Sequence, residues 1–387
     1  MSAVRATTPS AALAGFERGW CGPDGASLRA DTRHTLTDGF RRWPVVEGIP
    51  WLRPGRDNLR QRAVAALDAG DSDAAAVLLL GDADDWWELP PPPAEQLRGA
   101  LGARTLRDAV RLLGLGRVGV YFLHRWSDPS WLATLALTAA HPPAGRTVVD
   151  LACGAGHLLR HLVLHGHRDA VGVDVVFAKL WLARRFVLPP GAPVALVCAD
   201  LTAGWPLPPP TTPRHVACHD ALYFLPHKAD VVAAAVACAG PGGALLLGHL
   251  HNARHPGGRA GLPLLPEEWT ALLPGARAYS EEELTDATVA GRLPYAAGAG
   301  ALAATEAVSL ARDTADAAAE PEILRPAPRS PLHPNPLYEN GHRRWPDARW
   351  AEEYGERAAG YLPERWSAVG SADEVRRRLL LDLPERW

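Results

Sequence analysis

The sequence predicts an α/β fold: a mostly parallel sheet with helices on both faces, a mainly helical N-terminal extension, and an irregular, partly helical C-terminal tail. Three observations predict it. From Arg146 onward, short apolar runs alternate with helix-length segments at the spacing of βαβ units. The runs at 148–151, 194–198 and 244–247 are apolar without alternation, as expected of strands buried on both faces. Before residue 145 the chain carries helix-period segments with capping residues at their starts.

Taken in order, residues 1–19 read as a loose tail, and 20–55, rich in Gly, Pro and Trp, as short β elements. Helices follow over 57–69 and 71–80, with Asp57 and Asp71 as N-caps. A proline break at 89–93 precedes helices near 94–101 and 106–113. A further helix starts at 127–128, with Pro129 in its first turn, and runs to 140. In the sheet region, strands are expected at 147–152, 170–176, 194–199, 215–220 and 243–250, with helices at 157–165, 178–186 and 228–239. Beyond His255 the pattern weakens. Helices at 266–273 and 281–289 are expected, the second capped by Ser280 with Glu283, then a late strand at 304–312. Residues 313–335 read as a linker, and the tail ends in a helix capped by Ser371 with Glu374. The implied division is 1–55, 56–144, 145–312 and 313–387.

Composition narrows the function. The chain has 387 residues, enough for one main domain with extensions. Its net charge is −3 and its longest basic run is Arg376 to Arg378, which argues against nucleic-acid binding. The five cysteines form no CxxC pair, so neither a disulfide framework nor a cysteine-rich zinc site is expected. No run reaches the roughly 20 apolar residues of a membrane span, and no signal segment opens the chain, so a cytoplasmic protein is expected. With two lysines against many arginines, the sequence reflects a GC-rich genome.

The chemistry centres on VVDLACGAGHLL at 148–159, a strand running through a glycine turn into a helix. Gly154 and Gly156 lack the Cβ that would keep a ligand from the backbone. A nicotinamide fingerprint wants a third glycine where Leu159 stands. The acid Asp150, four residues before Gly154, would repel a pyrophosphate and suits a ligand carrying an ammonium group. This points to S-adenosylmethionine. Asp174 ends the second strand, 24 residues after Asp150, where a carboxylate can hold both ribose hydroxyls. Asp200 ends the third strand, placed for an adenine amino group, with Leu201 or Val175 against the ring. Cys218-His219-Asp220 closes the fourth strand at the switch point of the sheet.

These motifs, DLACGAG, GVDVV, CADL and CHDALYF, resemble in order those of class I S-adenosylmethionine-dependent methyltransferases, over residues 145–250 and more loosely to 310. The resemblance implies a Rossmann-like sheet of seven strands, and S-adenosylhomocysteine as product. It also implies a cofactor site of Asp150, Ala152, Cys153, Gly154, Gly156, Asp174, Val175, Asp200, Leu201 and His219. The family's usual first motif has glycine where this chain has Ala152, which narrows the pocket slightly. Around Cys21-Gly22 and VVEGIPWL the chain resembles, more faintly, a zinc-ribbon-like module reduced to one of its four cysteines. Relatives with the intact module act on RNA, and its loss argues against importing that activity. The segment after strand five and the tail resemble methyltransferases of glycoconjugate pathways, which implies a small-molecule or glycan acceptor.

Methyl transfer needs alignment, and a base where the acceptor is a hydroxyl or ammonium. His219 is the first choice, then Asp220, Tyr223 and His251, with His227, His249 and Asn252 nearby. Two histidine groups raise a metal question: His249, His251 and His255, and the helical stripe His157, His161 and His165. In a chain with 15 histidines both spacings arise by chance, and no metal is expected. Among 14 tryptophans, Trp20, Trp43, Trp86, Trp87, Trp126 and Trp131 stack on sugar rings or serve the core. The tail aromatics fold back on the domain or meet a second chain as a homodimer, and the sequence leaves both open. Two further readings stand beside an active enzyme: a non-catalytic cofactor-binding or regulatory protein on this fold, and an RNA methyltransferase.

Overall fold

A computed structural model describes residues 18–82, 90–256, 261–313 and 318–387. Most of the expected N-terminal tail, and Trp86 and Trp87, lie outside the described residues. The first segment forms a four-stranded antiparallel sheet, β1 (Arg29–Thr32), β2 (Thr35–Thr37), β3 (Arg42–Val46) and β4 (Ile49–Pro50). It docks on the edge of the main sheet, where Trp51 bridges Cys198 in parallel and the Leu52 amide donates to the Cys198 carbonyl at 2.7 Å. An edge strand that would otherwise expose unpaired backbone is thereby covered.

Six helices follow: α1 (Asp57–Asp68), α2 (Ser72–Leu80), α3 (Ala94–Leu101), α4 (Leu106–Leu112), α5 (Gly116–His124) and α6 (Pro129–Ala140). Asp71 caps α2, its side chain accepting from the Ala74 amide, and Asp128 caps α6 in the same way from Trp131. The N-cap of α1 is Arg56, with Asp57 inside the first turn, so the expected Asp57 cap is displaced by one residue. There Asp57 still favours the helix through the dipole. Helix α5 was not expected. A Cβ on Gly119 would lie 2.3 Å from Val110 Cγ1, so glycine lets α5 pack tightly on α4.

The main sheet has seven strands: β5 (Thr147–Leu151), β6 (Ala170–Asp174), β7 (Val194–Cys198), β8 (Arg214–His219), β9 (Ala244–His251), β10 (Arg277–Ser280) and β11 (Ala307–Asp313). Their order is β10-β11-β9-β8-β5-β6-β7. The pairs among β5 to β9 are parallel, while β11 and β10 add antiparallel. The fold is α/β and Rossmann-like. Helix α7 (His157–Leu164) joins β5 to β6; α8 (Phe177–Leu182), continued by a π turn at Ala183–Val187, joins β6 to β7; and α9 (Lys228–Ala239) joins β8 to β9. Two buried clusters line the two faces, as the unbroken apolar strands require. The chain order reverses at β5, with β6 on one side and β8 on the other. Ligands bind in such sheets at the carboxyl ends of the strands beside this point.

After β9 come α10 (Pro266–Leu272), α11 (Glu281–Ala290) and the unexpected α12 (Ala299–Ala304). The Ser280 hydroxyl accepts from the Glu283 amide, as the cap pattern requires. The expected linker is an anchored connector: a 3-10 turn at Pro321–Leu324 buries Ile323 and Leu324 in the core. The tail folds back on the domain through α13 (Ala348–Ala359) and α14 (Ala372–Arg376). Asn335, fully buried, donates to Ser127 Oγ at 2.9 Å and to the Arg378 carbonyl at 2.6 Å. Tyr361 donates to the Ser127 carbonyl, and Trp387 to that of Leu123. Ser371 and Glu374 form the expected capping box of α14. No helix among the described residues is long and apolar enough to cross a membrane.

Candidate functional site

A cavity of about 450 Å³ opens at the switch point between β5 and β8. One half is built by the turn after β5. Gly154 and Gly156 have φ of 54° and 77°, and Ala152 has 52°, in the left-handed region that glycine occupies without strain. A glycine at position 152 would hold this turn without strain, and Ala152 holds it at some cost. Asp174 ties the turn down: its carboxylate accepts from the Gly154 amide and from the Val176 amide, both at 2.9 Å, with Lys179 Nζ at 3.6 Å. Asp150 stands beside it, buried. Burial first, then the neighbouring Asp174, pushes the Asp150 carboxyl up to about 8. A buried acid in that state is stabilised by a cationic group brought to it.

His219 ends β8 against the bare backbone of Gly248, where a Cβ would lie 2.1 Å from its Nδ1. Both ring nitrogens are buried and have no hydrogen-bond partner among the described residues. Burial holds the ring neutral, with its pKa lowered to about 3. Asp220 follows in the left-handed region, at φ 56°. Tyr121 donates to its Oδ2 at 2.8 Å, Tyr223 to its Oδ1 at 2.6 Å, and Arg125 Nη1 lies 3.7 Å away. Burial opposes its charge, but His249, Arg125 and the Tyr223 hydroxyl outweigh burial and keep Asp220 ionised. Arg125 is itself held by Asp128 and Ser130 at the start of α6.

The other half of the cavity is aromatic. Tyr121 and Phe122 from α5, Trp131 from α6, Tyr223 and Phe224 after β8, and Trp350 and Tyr354 from α13 line it, with Glu353 and Arg349. Of the expected site residues, Asp150, Ala152, Cys153, Gly154, Asp174, His219, Asp220 and Tyr223 lie in the wall. Gly156, Val175, Asp200, Leu201 and His251 lie outside it. Gly156 starts α7, where a Cβ would meet Ala183 at 3.1 Å. Asp200 is engaged locally, accepting from the Thr202 amide and hydroxyl, and Leu201 packs against the core. His251 sits behind Tyr223, ring on ring at 3.8 Å.

Sequence reasoning missed Tyr121, Arg125, Trp350, Glu353 and Tyr354. The one signal for the tail residues was an aromatic pair four apart on an amphipathic helix. The histidine stripe of α7 is structural: His157 Nε2 meets the Phe122 carbonyl, and His161 Nε2 that of Ile323. Trp20, Trp43, Trp126 and Trp131 are all at most 3% exposed, and of these only Trp131 reaches the cavity. Cys21 is buried and free.

A methyltransferase-domain family model matches residues 148–243, which span β5 to the start of β9 and contain the glycine turn, Asp174 and His219. Over residues 148–243 the chain is similar to a methyltransferase domain. Its cofactor is S-adenosylmethionine, and the residues fit that group: an acid primed for a cation at Asp150, a bare turn at Gly154, a carboxylate at Asp174 and unpartnered nitrogens on His219. Solved structures similar to the chain include an S-adenosylmethionine-dependent methyltransferase from Mesorhizobium loti, at 21% identity and TM-score 0.36, covering 47% of this chain and 96% of that one. Another, from Thiobacillus denitrificans in complex with S-adenosylhomocysteine, has 21% identity and TM-score 0.32, covering 43% and 74%. At such scores the fold assignment rests on the sheet order and the domain match. No curated protein matches the chain.

Proposed function

We propose that the protein transfers a methyl group from S-adenosylmethionine to a small-molecule acceptor, with a sugar hydroxyl of a glycoconjugate as one member of that class. The observation that carries this reading is the cavity itself: its cofactor half and its aromatic half are continuous, and the second is lined by the tail helix α13. A wall built from helices and a returning tail favours a small acceptor over RNA, as does the net charge of −3. The cofactor supplies an electrophilic methyl group on a sulfonium. Asp150 would hold its ammonium group and Asp174 its ribose. Gly154 leaves room for close approach, and α5 and α13 exclude water. His219, neutral and so with one acceptor nitrogen set by its tautomer, would accept the hydrogen bond of the acceptor hydroxyl or amine and orient it. Asp220, taken up by two phenols, holds Tyr121 and Tyr223 in place. We read the sheet at 29–50 as a packing element.

The test is release of S-adenosylhomocysteine from the purified protein across a panel of phenolic, amine and sugar acceptors. Turnover with any acceptor, reduced about 100-fold or more in His219→Ala when measured at saturating cofactor, supports the reading. Cofactor binding with no turnover on any acceptor would leave a binding protein instead.

A further inference from the structure

Beside the cavity, two adjacent strand ends bring three potential metal ligands together. Asp220 follows β8, and His249 and His251 lie in β9, the strand hydrogen-bonded to it. The pairing of β9 with β11 shifts register between Val308 and Leu310, and His249 at this irregularity has φ 53°. Bulges of this kind re-aim side chains, and left-handed non-glycine residues gather at functional sites. Asp220 has the same unusual backbone. As a result His249 Nε2 lies 3.2 Å from His251 Nε2 and 3.7 Å from Asp220 Oδ1. One ligand atom from each of the three residues falls within 4.8 Å of the others. Two imidazole nitrogens bound to one ion at about 2.0–2.1 Å in tetrahedral geometry stand roughly 3.3 Å apart.

The surroundings are those of a held ligand set. His251 is clamped by its stack on Tyr223. The far nitrogen of His249, Nδ1, faces Glu281 Oε1 at 3.0 Å, and Glu281 is fully buried. The angle of that contact falls short of a hydrogen bond, and neither Glu281 oxygen has a hydrogen-bond partner among the described residues. Arg357 Nη1 lies 3.6 Å from it. A carboxylate behind a ligating histidine is the usual outer partner that fixes the ring and raises its basicity. We propose that Asp220, His249 and His251 bind a divalent first-row transition metal ion, of the Zn²⁺, Fe²⁺ or Mn²⁺ class, with Glu281 as the outer partner of His249. Two imidazoles and one carboxylate suit these ions, and leave positions open to a further ligand. Asp220 is part of the cavity wall, whereas His249 and His251 are not, so the ion would sit behind that wall. Where the methyl-transfer reading holds, on which this role rests, the ion would position Asp220 and, through it, Tyr121 and Tyr223.

The full-length protein is stripped with chelator and titrated calorimetrically with Zn²⁺ and, separately, Mn²⁺. Bound metal is then counted after gel filtration. One ion per chain is expected, lost in His249→Ala and His251→Ala, and weakened about 10–100-fold in Glu281→Gln. S-adenosylmethionine titrated into the same samples reports folding independently. Absence of stoichiometric metal, or binding that survives both histidine substitutions, overturns the site and leaves a plain imidazole pair. Should the alanine variants not fold, unchanged metal affinity in the near-isosteric Glu281→Gln overturns the outer-partner assignment. Metal bound without S-adenosylmethionine would sink the methyl-transfer reading and leave the metal site standing.

Discussion

At the residue scale, Asp150 makes the sharpest statement. Its carboxyl is raised to about 8 when folded, against about 3.9 in an unfolded chain. The group therefore favours the ligand-free fold fully below pH 4, and that contribution is lost as pH rises from about 4 to 8. Asp150→Asn removes the burdened charge, so at pH 8 the ligand-free variant should be more stable by about 1–3 kcal/mol, measured by urea unfolding. The same substitution should abolish cofactor binding, and in the native protein cofactor affinity should rise between pH 6 and 8 as the acid ionises. Equal stability of the two proteins at pH 8 would show that the acid is not desolvated. Asp174 is different, since its oxygens already hold two amides of the turn. Asp174→Ala should weaken cofactor binding by about 1–3 kcal/mol in a calorimetric titration. Both acids were legible in the sequence because they fall on one motif at one spacing. Ala152 was legible as a departure, but its φ of 52° was not, so its cost becomes visible only in the fold. Ala152→Gly should raise stability by roughly 1 kcal/mol in the same unfolding assay.

At the element scale, the strands of the parallel core were readable and the walls of the cavity were not. Strands β5 to β9 fall within two residues of where apolar runs and turn signals put them, because burial on both faces writes an unbroken apolar run. Strand β10 carries only four residues, two of them poorly buried, and so left no run to read. Helix α5 was hidden by its own glycines, which serve packing on α4 and not a turn. Helix α13 shows the clearest gap: the tail was expected to carry aromatics, but no helix was expected at 348–359, whose amphipathic face holds Trp350 and Tyr354. That face buries Trp350 and Tyr354 against the domain and presents them to the cavity. Its N-terminus is held by Asp347, which accepts from the Trp350 amide at 2.7 Å. Asp347→Ala should cost about 0.5–2 kcal/mol of stability. Because Trp350 is the residue tied by that cap, acceptor KM should rise while cofactor affinity holds. Calorimetry with the cofactor beside steady-state kinetics would separate the two, and a loss of cofactor affinity would contradict the division of the cavity.

At the scale of the whole molecule, the N-terminal helices, the sheet and the returning tail share one buried cluster. The four-part division read from composition marks segments of chain, and the core runs across their borders. No sequence pattern announces this, since the contacts join residues more than 200 apart: Arg160 with Asp382, Ser127 with Asn335, Leu123 with Trp387. Asn335 is the knot. Its amide nitrogen serves Ser127 and the Arg378 carbonyl, and its oxygen accepts from the Leu337 amide at 2.9 Å, all without exposure to water. Asn335→Ala strands those partners in the interior, and should cost about 1–3 kcal/mol in denaturant unfolding. Asn335 touches neither half of the cavity, so its effect on function can travel only through the seat of the tail. On the proposed function cofactor affinity depends on the turn after β5 and should be unchanged, while acceptor KM depends in part on α13 and should rise. An Asn335→Ala protein with normal KM but lowered stability would mean that α13 keeps its place independently of the knot, held by Trp350 and Tyr354 alone.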